Sequence, residues 1–423
     1  MERVVITGMG LISALGADVQ SCWQGLIEGR SGIVPISHYD VTDYNTKVAG
    51  EAVWIPREDP AAGLPWQWCR RAVRMFSKAT GEAFRDASLD RVPLPARELG
   101  VAAGATVNWI DVIQLREIAR YGRPDGKSWD MLRYLEEEKH PIRGYYKRMG
   151  DLMVSAPAQA LGAKGPAFVM DTACAASAHS IGEAFRMIQR GKAKAMIAGG
   201  AAALVNPIAI LAFALIGALS RSGNPEEASR PFDKGRDGFV MGEAAGAIVL
   251  ESLSSARERG ARIYAELAGY GSTLNAASLT DPSPDGSSEA RAMKMAAEEA
   301  GLRKEEIDYV AAHGTSTQKN DAVETMAIKR FLGEHAQRVP ISSNKGQIGH
   351  TISAAGVCNV ISATKAITEG VIPPTMHLRN PDAACDLDYV PNKSRRREVR
   401  AALANAFAFG GQNAVLALRV LVN

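Results

Sequence analysis

Apolar positions along this chain follow two alternating patterns. Short continuous apolar runs recur, among them Val4–Ile6, Ala167–Met170, Ala195–Ala198 and Ala247–Leu250. Runs this short, bounded by turn residues, predict buried strands. Between them lie longer alanine-rich stretches with one apolar stripe, from about Val73 to Ala87 and from about Ser288 to Ala300, which predict amphipathic helices. Alternating strands and helices predict an α/β layered architecture.

The pattern also repeats. Arg3-Val4-Val5-Ile6-Thr7-Gly8-Met9-Gly10 resembles the stretch from Arg262 to Gly271, each reading as a short strand that runs into a glycine turn. The helix at 73–87 precedes a strand near Gly100–Gly104, and the helix at 288–300 precedes one at Asp308–His313. A helix beginning near Cys174 ends in Arg190-Gly191, and a second ends in Glu369-Gly370. In that alignment Cys174 has Ser353 as its counterpart. Both helices start with small residues and can pack side by side, and the terminal glycines supply left-handed caps. Two similar halves are therefore expected, 1–255 and 256–423, with the division in the charged stretch Ser254–Gly260. An aromatic and charged insertion at about 108–150 and a surface loop at 272–287 stand outside the repeat.

Residues Ala201–Leu219 carry no charge and imitate a membrane span in length. Asn206-Pro207 interrupts the run, so a core helix or an apolar pocket wall is the better expectation. Composition narrows the field further. Of the 423 residues 46% are hydrophobic and 22% charged, and the net charge is +3. That balance fits an ordinary globular protein and gives no argument for nucleic acid or an anionic membrane. The five cysteines, Cys22, Cys69, Cys174, Cys358 and Cys385, are widely spaced with no CxxC pair. This argues against a disulfide framework or structural zinc and for a reducing compartment. Met1–Ile6 enters a strand pattern at once, so no signal peptide is expected and the cytoplasm is the expected location.

The chemistry gathers in four segments. Strand Ala167–Met170 leads into a helix with Cys174 at the turn, where unpaired N–H groups and the helix dipole favour a thiolate. Taken alone, a buried structural cysteine explains this position as well. His313-Gly314-Thr315-Ser316-Thr317 follows an apolar strand, and an imidazole at such an end can hydrogen-bond a carbonyl or an enolate; it can also simply close a turn. Ser342–His350 is a polar, glycine-punctuated loop that brings Lys345 and His350 ahead of Ser353. If the two helices pair across a pseudo-twofold axis, both groups approach Cys174 from the opposite half. Asn405–Asn413 reads as a glycine-rich turn between strands, with Phe407 and Phe409 as a candidate apolar gate.

Taken in order, Thr172-Ala173-Cys174, His313–Thr317, Lys345 with His350, and Phe407–Asn413 closely resemble the elongating β-ketoacyl-acyl-carrier-protein synthases. Arg230–Asp233, Asp237–Glu243 and Val5–Gly10 extend the likeness over essentially the whole chain. The resemblance implies a thiolase-like five-layered αβαβα fold, usually homodimeric, acting on acyl carrier protein without a metal or cofactor. Cys174 would take the acyl group and condense it with malonyl-carrier after loss of CO₂. His313 and His350 would assist decarboxylation, and Lys345 would tune the cluster. The N–H groups of Cys174 and Phe409 would form an oxyanion hole. Thr315 and Thr317 would contact the pantetheine arm, and Phe409 would gate the acyl pocket. A basic docking patch for the acidic carrier is expected at Arg70, Arg71 and Arg74, with Lys147 and Arg148 as further candidates. Arg395–Arg397 reads as a solvated turn.

The absence of a second cysteine after Cys385 separates the chain from thiolases, and His350 separates it from priming and chalcone-type enzymes. Asn359, Ala408, Gln412, Ala244 and Gly217 depart from the fatty-acid enzymes and leave room for a specialised pathway. Two other readings stay open: a non-catalytic chain-length subunit, and a related acyltransferase that forms esters or amides.

Overall fold

The structure is a computed structural model, which describes residues 2–53, 69–106, 112–137 and 149–422. Ten strands form one mixed sheet. In chain order they are β1 (Val4–Ile12), β2 (Leu99–Ala105), β3 (Ala167–Met170), β4 (Ala195–Ala202), β5 (Ala244–Ser252), β6 (Ala265–Leu274), β7 (Tyr309–Ala311), β8 (Ile341–Ser342), β9 (Ala401–Phe407) and β10 (Gln412–Arg419). Their spatial order is β8-β7-β9-β10-β6-β1-β5-β4-β2-β3. Read outward from the β6–β1 junction, the two sides match strand for strand, β1 to β6 through β3 to β8. The pairing senses match too: two antiparallel ladders, then two parallel ones, on each side. The halves are joined by a short antiparallel ladder in which Val4–Ile6 face Ala265–Leu267.

Of the helices among the described residues, six build the layers, α1 (Arg71–Asp86), α2 (Leu152–Leu161), α3 (Ala176–Gln189), α5 (Ser287–Glu299), α6 (Gln318–Leu332) and α7 (Ala355–Glu369), while α4 (Pro207–Leu215) lies beside the site. Helices α1 and α2 cover one outer face, α5 and α6 the other, while α3 and α7 lie against each other between the two halves of the sheet. This is the αβαβα arrangement. The central pair approach closely because their facing residues are small; a Cβ on Gly356 would sit 2.7 Å from the Ala178 Cβ. Gly370 caps α7 in the left-handed region at φ 63°.

The glycines of the repeat are not in turns. Gly8 and Gly10 lie inside β1, and Gly269 and Gly271 inside β6. They are there because α1 and α5 rest directly on those strands: a Cβ on Gly10 would be 2.0 Å from the Ala79 carbonyl oxygen, and one on Gly271 2.0 Å from that of Ala292. Gly10→Ala is therefore expected to lower stability by about 1–3 kcal/mol through overpacking, read as a lower urea midpoint.

Other boundaries also differ from expectation. Strand β6 continues to Leu274, so the loop begins three residues later than the composition suggests. Arg395 and Arg396 form a two-residue strand against Val371–Ile372, and Arg395 is ion-paired with Asp388. The uncharged stretch becomes α4, capped by the Asn206 side chain on the Ala209 N–H at 3.0 Å. Among the described residues no helix is long and apolar enough to cross a membrane.

Candidate active site

Cys174 stands on a single 3₁₀ turn, Ala173–Ala175, between β3 and α3. Ala173 is held at φ 47°, a left-handed conformation costly for a residue with a Cβ. The pseudo-equivalent turn Ile352–Ala354 ahead of α7 has Ile352 at φ 40°. The same bend is thus built twice, once around Cys174 and once around Ser353. In the second copy the Ser353 hydroxyl donates to the Ala201 carbonyl at 2.7 Å, which fixes it as a structural group.

The C-terminal half supplies the groups that face the thiol. Cys174 Sγ lies 3.1 Å from His350 Nε2. The rings of His350 and His313 meet edge to face at 5.2 Å between centroids, and Phe239 packs edge-on against His350 at 5.0 Å. Lys345 opens the short helix Lys345–Ile348 and is buried; its ammonium donates to the His313 carbonyl. All four groups are brought together.

Burial sets the electrostatics. It pushes the Cys174 thiol up to about 11, against the opposing pull of the Lys345 charge and of the Phe409 and Cys174 backbone N–H groups. The helix terminus alone argued for a thiolate; loss of water outweighs it here. Burial and the Lys345 charge hold both imidazoles well below their ordinary range, so both are neutral at pH 7. Burial lowers Lys345 itself to about 8, with Glu324 the main opposing influence. Because Lys345 depresses the thiol, Lys345→Met is expected to slow iodoacetamide alkylation of Cys174 at pH 8 by severalfold to about tenfold. Its alkylation profile should move to higher pH.

Glu324 and Asn405 had no assigned role in the sequence, yet both position His313. The Glu324 carboxylate accepts from the His313 N–H at 2.8 Å, the Gly314 N–H at 2.7 Å and the Asn405 amide at 3.0 Å. The His313 peptide is thereby clamped at both ends, by Glu324 on its N–H and Lys345 on its carbonyl. Asn359, the conspicuous departure, donates to the Ala312 and Asn405 carbonyls at 2.9 Å each and accepts from the Asn344 amide at 3.1 Å. A neutral amide suits those partners, and the main acid opposing burial at Lys345 is Glu324.

A cavity of about 400 Å³ leads to this cluster. Thr315 and Thr317 line it with their hydroxyls 2.9 Å apart. Phe407 ends β9 and packs beside His313 at 5.9 Å. Phe409 lies on the following turn, half-buried, 6.4 Å from the Phe213 ring. Gly410 and Gly411 carry the left-handed angles of that turn, 81° and 76°. Ala408 is extended, so its Cβ costs nothing there. The cavity also touches α4's end at Phe213 and Ile216–Ala218, so the uncharged stretch does form pocket wall.

The arginines lie elsewhere. Arg70 and Arg71 line a second cavity of about 240 Å³. Arg71 is bound to the buried Glu243 carboxylate at 2.8 Å and to the Ala52 carbonyl at 3.2 Å, and Arg74 is half-buried. Arg71 is thus a structural ion-pair partner, because an unpaired Glu243 carboxylate would be costly to bury. Lys147 and Arg148 lie outside the described residues.

Among the described residues the ligand atoms of Cys174, His313 and His350 all fall within 4.8 Å of one another. Such a soft donor set could hold a divalent ion, at the expense of the nucleophile and against the nearby Lys345 charge.

One half contributes a thiol and the other contributes imidazoles, at the junction of two copies of the same topology. That division of labour defines the thiolase-fold condensing enzymes, which are acyltransferases. Comparison with known proteins gives the family. The family model for the β-ketoacyl synthase N-terminal domain matches residues 1–256, and that for the C-terminal domain matches 264–379. A protein of Synechocystis named 3-oxoacyl-[acyl-carrier-protein] synthase 2 is 41% identical over 99% of this chain and 98% of its own. Its namesake in Staphylococcus aureus is 38% identical over the same shares. Among solved structures, a type II polyketide ketosynthase in complex with its acyl carrier protein superposes with a TM-score of 0.88 at 31% identity, over 99% of this chain and all of its own. The ishigamide ketosynthase/chain length factor gives 0.87 at 34%, with both chains fully covered. This chain belongs to the β-ketoacyl synthase family.

Proposed function

We propose that the protein is a 3-oxoacyl-acyl-carrier-protein synthase that extends acyl chains held on Cys174, in fatty-acid or specialised polyketide-like synthesis. The observation that carries this reading is the 3.1 Å approach of a neutral imidazole to a buried thiol at the end of the cavity. Cys174 Sγ attacks the thioester carbonyl of an acyl group on the carrier's phosphopantetheine. The carbon–sulfur bond to the pantetheine breaks, and the thiol proton passes through His350 to the departing sulfur. The Cys174 and Phe409 N–H groups hold the oxyanion. Malonyl-carrier then enters along Thr315 and Thr317, and its carboxylate leaves as CO₂. The electron pair left behind forms an enolate, whose oxygen accepts hydrogen bonds from the neutral His313 and His350. The enolate carbon attacks the acyl carbonyl and expels the Cys174 sulfur as thiolate, which takes up one proton from solvent through His350 to restore the thiol.

Lys345 fixes the His313 peptide and biases the thiol, and Phe409 gates the acyl side. Residues 1–255 contribute the nucleophile and 256–423 the imidazoles. Two copies of the chain associate, with β3 at an open end of the sheet as the natural seam. The five cysteines, all buried and unbridged, favour the cytoplasm. The reading is tested by incubating the protein with acyl-carrier and malonyl-carrier: equimolar CO₂ and 3-oxoacyl-carrier support it. An ester or amide product without CO₂, or an unacylated Cys174, overturns it.

A further inference from the structure

A threonine precedes each of the two pseudo-equivalent turns, and each meets a side chain seven positions on: Thr172 meets His179, and Thr351 meets Cys358. Around Ser353 this contact is loose, with the Thr351 hydroxyl 3.9 Å from a thiol. Around Cys174 it is a bridge. Thr172 Oγ1 lies 2.8 Å from His179 Nδ1, and His179 Nε2 lies 3.2 Å from the Ser272 hydroxyl. Ser272 in turn bonds the Tyr270 phenol. His179 is buried on α3 and does not line the cavity. Burial holds its ring neutral, down to about 4, with the Asn413 backbone opposing. A neutral ring donates from one nitrogen and accepts at the other, and two hydroxyls satisfy it in either tautomer.

We infer that His179 is a positioning residue, locking the Cys174 turn to the strand pair that carries Phe409 and so fixing the spacing of the two N–H donors to the oxyanion. The inference rests on the condensing-enzyme reading and adds a residue to it. The N–H groups of Cys174 and Phe409 both bond the thiol, yet they come from opposite halves, so only contacts across the junction set their spacing. The bridge crosses that junction. Thr172 and His179 belong to one half, while Ser272 stands on β6, where it faces Ala414 of β10, and Thr273 faces Asn413. The turn that bears Phe409 runs straight into β10 at Gln412. A strained turn such as that at Ala173 persists only where its surroundings hold it, and the bridge anchors the residue beside it. The copy whose hydroxyl is structural has only the loose threonine–thiol contact.

The test compares two reactions of the same sulfur, both followed by intact mass. Acylation by octanoyl-pantetheine passes through a tetrahedral oxyanion. Alkylation by iodoacetamide displaces iodide at carbon and forms none. Thr172→Val removes the hydroxyl and keeps its shape; His179→Leu removes the ring. Each is expected to slow acylation by about ten- to a hundredfold, up to the loss of one oxyanion donor, and alkylation by less than about threefold. The double variant should be no slower than the slower single one, because the same link is cut twice. Thr172→Ser, which keeps the hydroxyl, should acylate within about threefold of wild type. Parallel losses in both reactions, no loss in acylation, additive losses in the double variant, or no rescue by Thr172→Ser overturns the positioning role and leaves the function standing. Failure of both single variants to fold also overturns it, since the bridge would then serve the fold as a whole. A wild type that is alkylated but takes no acyl group, from octanoyl-pantetheine or from any octanoyl-loaded carrier, removes the condensing-enzyme reading and the positioning role together.

Discussion

Cys174→Ala is expected to give no acyl adduct by intact mass and to lower 3-oxoacyl formation by roughly 10⁴-fold or more, as nucleophile removal does elsewhere. No neighbour can take over. Ser353, the pseudo-equivalent residue, has its hydroxyl committed to the Ala201 carbonyl at 2.7 Å. Cys358 lies inside α7 with its thiol against the Thr351 hydroxyl, and it is not among the residues that line the cavity. The substitution removes a sulfur and opens little space, so the folded protein should survive with an unchanged thermal midpoint. An adduct on another residue, or residual turnover above about 1% of wild type, would contradict the assignment.

The second large effect is expected at His350. On the proposed mechanism His350→Ala removes both the group that receives the thiol proton and one donor to the enolate oxygen, so turnover should fall between about 10² and 10⁴-fold. His313, held by its clamped peptide, would retain part of the enolate stabilisation. Single-turnover measurements on pre-acylated enzyme would isolate the loss in the malonyl step. The same residue sets a pH signature. Both imidazoles are neutral in the folded chain because burial and Lys345 disfavour the cation. In the unfolded chain they titrate near 6.5. Below that pH the unfolded state binds protons that the folded state refuses, so their contribution to stability is intact above 6.5 and is lost as pH falls. The wild-type thermal midpoint should drop between pH 7 and 5.5, and that of His350→Ala should drop less.

Much of this site was legible in the sequence because its parts sit on local signals. A thiol at a strand-to-helix turn, an imidazole after a strand and glycines before β10 are all visible within a few residues. The duplication was legible through Gly8-Met9-Gly10 and Gly269-Tyr270-Gly271, though the reason for those glycines was not: they admit a helix lying on the strand, a contact with residues some 70 positions away for Gly10 and 21 for Gly271. Glu324 escaped notice for the same reason. On α6 it looks like any helical acid until folding places it under the His313 N–H. The thiol's pKa turned on depth of burial, which no local pattern reports. Arg71 read as a free cation because its partner, Glu243, is 172 positions away.

The doubled bend at Ala173 and Ile352 has one further consequence. Both copies carry the strained backbone, but a thiol stands at only one bend, while the opposite copy provides the imidazoles that the proposed mechanism uses to move protons. Neither segment is a smaller version of the whole, and a chain truncated to either would be chemically mute even if it folded. Selection on such a molecule acts on the seam, since a slip of α3 past α7 by a single ångström would separate sulfur from imidazole while leaving each copy intact.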